Sequence, residues 1–288
     1  LTQGLQERLS RLMTAQERVA TGKAINRLTD DPGKVSDILH LRNHRDRTET
    51  YIENLRSATQ RWEQTDSLIQ HLYNTYLQTK TLALRGANDA LDETGRRALA
   101  QEVDALLEEI LTTLNQKQGT ERVLFGEVPW TIERDERGTI SSFHIRGSAS
   151  SPYRLIVGQG EQLLAGMSFE EVILTSEGND IISPLINLRE ALYENNGELI
   201  RESLSQLNTI LDHLNFLRSV AGSFISRTHL IEERLTGEKV STENRLSQIT
   251  DGDIVNLITQ FTREQIAYQT AIAASAKLLS LNLFQIAQ

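Results

Sequence analysis

The sequence predicts a mainly α protein: an elongated antiparallel helical bundle or coiled coil, formed by the N- and C-terminal halves of the chain, with a small β-rich inserted domain. Three observations carry this. Apolar residues recur four and three positions apart over long runs in both halves of the 288-residue chain, which is the seam of a coiled coil. Only four prolines occur, Pro32, Pro129, Pro152 and Pro184, and none interrupts such a run; a proline in a helix interior costs about 3 kcal/mol. Between the two halves the composition shifts toward β-branched and aromatic residues broken by glycine and proline, the signature of short strands and turns.

The first helix is predicted over residues 1 to 20, with Leu5, Leu9, Leu12, Gln16 and Val19 along one seam. Gly22 follows and suits the left-handed position that closes a helix. The stretch "ATGKAINRLTDDPGKV" then raises a choice. Paired carboxylates could build a catalytic or metal-binding loop. They could equally restart a helix, with Asp30 or Asp31 as N-cap and Pro32 at the first helical position, where its missing N–H costs nothing. Nothing nearby suggests a nucleophile, so Gly22, Asp30, Asp31 and Pro32 read as a helix joint.

A long helix is predicted next. Tyr51, Leu55, Ala58, Trp62, Thr65, Ile69, Leu72, Tyr76, Thr79 and Ala83 keep the alternation unbroken. Gly86 ends it, Asp92 caps another helix, and Leu99, Val103, Leu106, Ile110 and Leu114 share one face of that helix. Residues 120 to 178 read as the β-rich insertion, with "ERDERG" as a hairpin loop. Helices resume near Ser183. Leu207, Ile210, Leu214, Leu217, Ala221, Phe224, Thr228, Ile231 and Leu235 form a second long seam. The last helix starts at "TDGDI" and carries Ile254, Ile258, Phe261, Gln265, Tyr268, Ile272, Ala276, Leu279 and Leu283 on one face.

This plan divides the chain into an N-terminal assembly helix (1–22), one half of a helical rod (23–119), the insertion (120–178), the other rod half (179–247) and a C-terminal assembly helix (248–288). A helix as short as the first is marginal alone in water, and each leucine it buries contributes about 1.5–3 kcal/mol. The terminal helices therefore need each other or another subunit. The expected assembly interface is Leu5, Leu9, Leu12 and Val19 with Ile254, Ile258, Phe261, Tyr268, Ile272, Leu279 and Leu283. The terminal helices are expected to order fully only on assembly.

Composition limits the function. The formal net charge is −9 and the basic residues are scattered, which argues against nucleic acid and against an anionic membrane surface as partners. Thirty-nine percent of residues are hydrophobic but only 5% aromatic, as suits helical packing on Leu, Ile and Ala. There is no cysteine, so disulfides, thiolate metal sites and cysteine nucleophiles are excluded. No uninterrupted apolar run has membrane-spanning length, and no basic segment followed by an apolar one opens the chain.

The histidines are His40, His44, His71, His144, His213 and His229. His40 and His44 share a helix face at metal-ligand spacing, but "HLRNH" lacks the glutamate of the zinc-protease signature. Arg42, Arg45 and Arg47 around them disfavour a cation, and a solvated polar face is the preferred reading. "GQGEQLLAG" lacks phosphate-loop spacing. The expectation is no enzyme, no cofactor and no metal. A hydrolase using Asp30 and Asp31 or the His40/His44 pair is the alternative in the enzyme class, and a cytoplasmic coiled-coil adaptor is a third reading.

Three blocks resemble the flagellin superfamily. "RVATGKAINRLTDDP" is similar to its N-terminal signature, "ALRGANDALDETGRRALAQEVDALLEEIL" to its second helical block, and "TDGDIVNLITQFTREQIAYQTAIAASAKLLSLNLFQ" to its C-terminal helix. Pro32 after the paired aspartates, a tail without proline, and "RVLFG" at 122–126 resemble the hook–filament junction branch more than flagellin itself. "QKQGTE" departs from the Asn-Gly that usually precedes the aromatic block, and the start at Leu1 implies an incomplete first helix. The resemblance implies a secreted structural component of the bacterial flagellum, exported by the flagellar apparatus without a cleavable signal peptide. It implies a helical layer between hook and filament. The implied partners are the other hook–filament junction protein (hook-associated protein 1), flagellin, copies of the chain itself and a cytoplasmic export chaperone. A flagellin filament subunit is the alternative within the superfamily.

Overall fold

A computed structural model describes residues 2–27, 29–118, 121–125, 130–136, 138–145 and 153–286; for residues 2, 118, 121 and 278–286 it describes the backbone alone. The helices are α1 (Thr2–Thr21), α2 (Val35–Gly86), α3 (Glu93–Leu114), α4 (Phe169–Ile173), α5 (Ser183–Tyr193), α6 (Gly197–Thr250) and α7 (Ile254–Ile286). Between α3 and α4 lie β1 (Lys117–Gln118), β2 (Glu121–Arg122), β3 (Trp130–Arg134), β4 (Ile140–Ile145), β5 (Arg154–Ile156) and β6 (Gln162–Leu164). Each consecutive pair of strands forms a two-stranded antiparallel sheet. The mainly α fold with a small β part is the one the seams predict.

The chain divides into two compact units. One comprises residues 50–235. Its core runs along α2 through Leu55, Trp62, Ile69, Leu72, Tyr76 and Ala83, and along α6 through Leu207, Leu214 and Ala221, all essentially without solvent contact. Cross-helix pairs fix the direction. Arg56 meets Glu232, Thr59 meets Thr228, Trp62 stacks on Phe224 at 4.5 Å, and Arg218 reaches Asp66. One number rises as the other falls, so the two helices are antiparallel. Helix α3 adds Leu99, Val103, Leu107 and Ile110 to the same core. Asp92 caps it by accepting from the Gly95 N–H, as its sequence position suggests.

The β-rich stretch shares that core. Leu124, Ile140, Phe143, Met167, Phe169 and Val172 belong to the cluster centred on α2, α3, α5 and α6. Val157, Leu163 and Ala165 pack with Ile52, Leu55, Ile231 and Leu235. Trp62 Nε1 donates to the Leu164 carbonyl at 2.9 Å, and Tyr76 Oη to the Ile181 carbonyl at 2.6 Å. Each such bond satisfies a polar tip that burial of its ring would otherwise leave costly. Asp135 turns the β3–β4 hairpin: its N–H donates to the Thr139 carbonyl, its side chain accepts from the Thr139 N–H, and its carbonyl accepts from the Gly138 N–H.

Two buried arginines were not legible as core residues. Arg189 of α5 is fully buried and holds Asp104 of α3 at 2.7 Å and Glu190 at 2.7 Å. Arg96 of α3 donates to the carbonyls of Gly86 and Asn88 and to the Asn195 side chain. It thereby closes the exposed carbonyl end of α2, a role normally left to water or a cap.

The other unit comprises residues 1–49 and 236–288. Here α1 lies against α7, and α2 and α6 are tied by Glu49–Lys239 at 2.8 Å and His44–Glu238 at 2.9 Å.

Candidate assembly interface

The joint after α1 meets the joint before α7. Gly22 adopts φ +71°, a left-handed backbone that favours glycine. Its carbonyl accepts from the Gly252 N–H at 3.0 Å, and the Ile25 N–H donates to the Thr250 carbonyl at 3.1 Å. Lys23 and Asp251 pair between these bonds in antiparallel register. The two chain breaks thus form one short ladder, with Ile25 and Thr250 buried beneath it. A Cβ on Gly252 would come within 3.2 Å of the Ala24 backbone nitrogen and 2.8 Å of Leu257 Cδ1. Glycine is required there by close approach.

The aspartates finish the joint. Asp30 Oδ2 accepts from the N–H groups of Asn26 and Arg27, both at 3.0 Å. The Arg27 N–H bond holds its carboxyl below the usual carboxylate value; partial burial opposes this, and the Asn26 N–H and the charges of Arg18 and Arg27 add to the lowering. Asp31 Oδ1 accepts from the Gly33 N–H at 3.1 Å, and its carbonyl from the Lys34 N–H. Helix α2 begins only at Val35. Pro32 therefore sits in the turn before the helix and not at its first position. The Asp31 side chain favours the turn because it satisfies the Gly33 amide locally. Thr21 Oγ1 bonds the Asn26 side chain at 2.8 Å, and Arg27 pairs with Glu17 at 2.9 Å. These are the contacts of a joint whose carboxylates are already occupied by backbone.

His40 is exposed, and His44 faces the Glu238 carboxylate. Among the described residues no cluster of three or more His, Asp or Glu side chains could hold a metal ion, and none of the helices is long and apolar enough to cross a membrane.

The apolar strips divide. On α1, Leu5, Leu12 and Val19 are half-buried and Leu9 is exposed, while Ala15 is buried. On α7, Phe261 and Tyr268 are half-buried; Ile254, Ile258 and Ile272 remain 48%, 49% and 45% exposed. The side chains of Leu279 and Leu283 lie outside the described residues. The inward face of α7 instead follows Leu257, Phe261, Glu264, Tyr268, Ala271 and Ser275. This is a second four–three register that shares Phe261 and Tyr268 with the strip the sequence points to. Leu257, buried to 5%, is the residue sequence reasoning missed. Its position three after Ile254 and four before Phe261 was the available signal.

Residues 1–128 match the family model described as the bacterial flagellin N-terminal helical region. Flagellar hook-associated protein 3 of Salmonella typhimurium is 18% identical over 294 residues, spanning 95% of this chain and 92% of that protein. The chain resembles hook-associated protein 3 of the flagellin superfamily. Flagellin of Listeria innocua is 18% identical over 90% of this chain and 85% of its own length. Among solved structures, a putative flagellar hook-associated protein from Vibrio parahaemolyticus superposes with a TM-score of 0.67 at 15% identity, covering 77% of this chain and 100% of that one. At that identity the superposition shows the fold. The matched residues include α1, the Gly22 joint, α2 and α3, and the ladder joins Gly22 among them to Gly252 near the start of α7.

Proposed function

We propose that this chain is a structural component of the bacterial flagellum, an adaptor that joins hook to filament by helical self-assembly through its terminal helices. It is not an enzyme; the resemblance is to flagellar structural proteins. One observation supports the adaptor reading above others. The terminal helices are latched to each other at the Gly22–Gly252 ladder, yet α7 still presents Ile254, Ile258 and Ile272 to solvent. Isolated apolar side chains on a surface are ordinary, but a strip of β-branched ones along one helix face suits helix-to-helix docking.

In this reading Leu5, Leu9, Leu12 and Val19, with Ile254, Ile258, Phe261, Tyr268, Ile272, Leu279 and Leu283, form the assembly interface. Residues 1–22 and 248–288 are the assembly elements, 23–119 and 179–247 the rod, and 120–178 an insertion carried by the rod. Hook-associated protein 1 lies on one side of the layer and flagellin on the other. A cytoplasmic chaperone covers the terminal strips before export through the flagellar apparatus. The similarity to Listeria flagellin favours one second reading, a filament subunit. Immunogold labelling of intact flagella separates the two. A band at the distal end of the hook supports the adaptor, label along the filament supports the subunit, and label confined to the cytosol overturns both.

A further inference from the structure

Residues 50–235 carry two unlike surfaces that fit one another. The first is a groove of about 670 Å³ between α4 and α6. Its apolar wall includes Leu174, Val220 and Phe216, and Phe216 is 65% exposed. Among the described residues its charged groups are the carboxylates of Asp212 and of Glu171, whose Oε2 also accepts from the Ser168 N–H and hydroxyl, and none of the described residues lining it is a lysine or arginine. His213 is half-buried there, with Nε2 3.3 Å from the Val172 carbonyl; burial lowers its pKa below the ordinary imidazole value, so it adds no cation near neutral pH. Along α6 the groove-lining positions Thr209, His213, Phe216 and Val220 repeat at four–three–four spacing.

The second surface is a ridge on the outer side of α2. Leu77 and Leu84 are 45% and 55% exposed, seven residues apart with exposed Thr81 between them. Lys80 and Arg85 flank the ridge, and no acidic residue lies between Asp66 and Asp89. The spacing of Leu77, Thr81 and Leu84 is that of a seam, and among the described residues it is left exposed.

We propose that the ridge of one copy seats in the groove of the next. Leu77 and Leu84 pack against Phe216 and Val220, and Lys80 and Arg85 face Asp212 and Glu171. Matching four–three spacings let two helices mesh at a shallow angle. The charges are exposed, so they fix orientation and exclude mismatched pairing more than they add affinity. Because ridge and groove are different patches, the contact is head-to-tail, and such contacts propagate into rings or helical arrays rather than closing as a dimer. The inference rests on the self-assembly reading above and names a surface for it away from the terminal helices.

The chain has no cysteine, which makes the test direct. Leu84→Cys and Phe216→Cys are introduced separately into the full chain, and wild-type self-assembly is followed in parallel by sedimentation. Under mild oxidation of assembled material, the two variants mixed together give a disulfide-linked dimer. The doubly substituted chain gives a ladder of covalent oligomers. Asp212→Lys weakens that ladder, and adding Lys80→Glu restores it. Wild-type assembly without the mixed dimer overturns this interface and leaves self-assembly standing. Cross-linking of the Leu84→Cys variant with itself, at the expense of the mixed product, also overturns it. A chain that does not assemble at all overturns both readings.

Discussion

Gly252 donates its amide proton to the carbonyl of Gly22 at 3.0 Å, across 230 residues of sequence. That bond and its neighbour from Ile25 to Thr250 join the end of α1 to the start of α7. The two terminal helices should therefore loosen together. Gly22→Ala places a side chain in open space but in left-handed backbone, at a cost of about 1–2 kcal/mol. Gly252→Ala instead brings a Cβ to 3.2 Å from the Ala24 backbone nitrogen and 2.8 Å from Leu257 Cδ1, and backbone yields less readily than a side chain. Amide exchange at Ile25 should accelerate in both variants, and more in Gly252→Ala. Gly237→Ala, in mid-helix with nothing within 4 Å, should stabilise by roughly 0.5–1 kcal/mol. Unchanged exchange at Ile25 in both joint variants would show that the ladder does not couple the helices.

The same joint carries a pH dependence. The folded pKa of Asp30 lies below its ordinary value of 3.8, chiefly through the Arg27 N–H bond. A depressed carboxylate pKa stabilises the folded form above the unfolded value, and that contribution disappears as pH falls through the folded value. Protection of the Asn26 and Arg27 amides should hold from neutrality down to about pH 4 and decline below it. Asp30→Asn should weaken protection at neutral pH and flatten the acid response. A decline of equal size in Asp30→Asn and wild type would place the acid sensitivity elsewhere.

Within residues 50–235, Arg189 sets an unequal pair of outcomes. The guanidinium is buried, whereas Asp104 and Glu190 keep 22% and 41% of their side-chain exposure. Removing both carboxylates leaves a buried, uncompensated cation, which costs about 3–5 kcal/mol. Arg189→Met fills similar space and leaves two carboxylates that water can still reach, so its cost should be nearer 1 kcal/mol. Urea midpoints compared at constant slope measure both. Equal losses would mean that packing around Arg189 matters and its charge does not.

The long seams were legible because the α2 and α6 registers have no rival. Trp62, Ile69, Tyr76 and Thr79 are all in the core, and shifting the register would have put Glu63 and Arg61 there. The register of α7 was not legible. Ile254 and Leu257 start two four–three patterns that converge on Phe261 and Tyr268, and alanine and glutamine elsewhere in the helix leave both open. Leu257 lies buried beside Gly252, where an added Cβ would meet it, and that placement at the ladder selects between them. Pro32 was misplaced by one short turn because an Asp side chain satisfies a loop amide as readily as a helix amide. Arg189 and Arg96 gave no signal, since a buried guanidinium depends on partners far away in sequence.

The exposed strip on α7 yields the sharpest division between folding and assembly. Ile258→Asp with Ile272→Asp changes side chains that the chain itself leaves about half in water. Surface substitutions of this kind usually alter stability by less than about 0.5 kcal/mol, so the far-ultraviolet circular dichroism and melting of the isolated chain should be preserved. In a layer that buries the remaining half of each side chain, the loss is about 0.7–1.5 kcal/mol apiece. Even the lower bound, about 1.4 kcal/mol per subunit, raises the concentration needed for assembly roughly tenfold. Leu257→Asp should behave oppositely: Leu257 is buried between α7 and the joint, so the terminal pair should come apart before any assembly is attempted. Sedimentation across a concentration series, paired with circular dichroism on the same samples, separates the two effects. Normal assembly of the Ile258→Asp, Ile272→Asp chain would remove the strip from the interface.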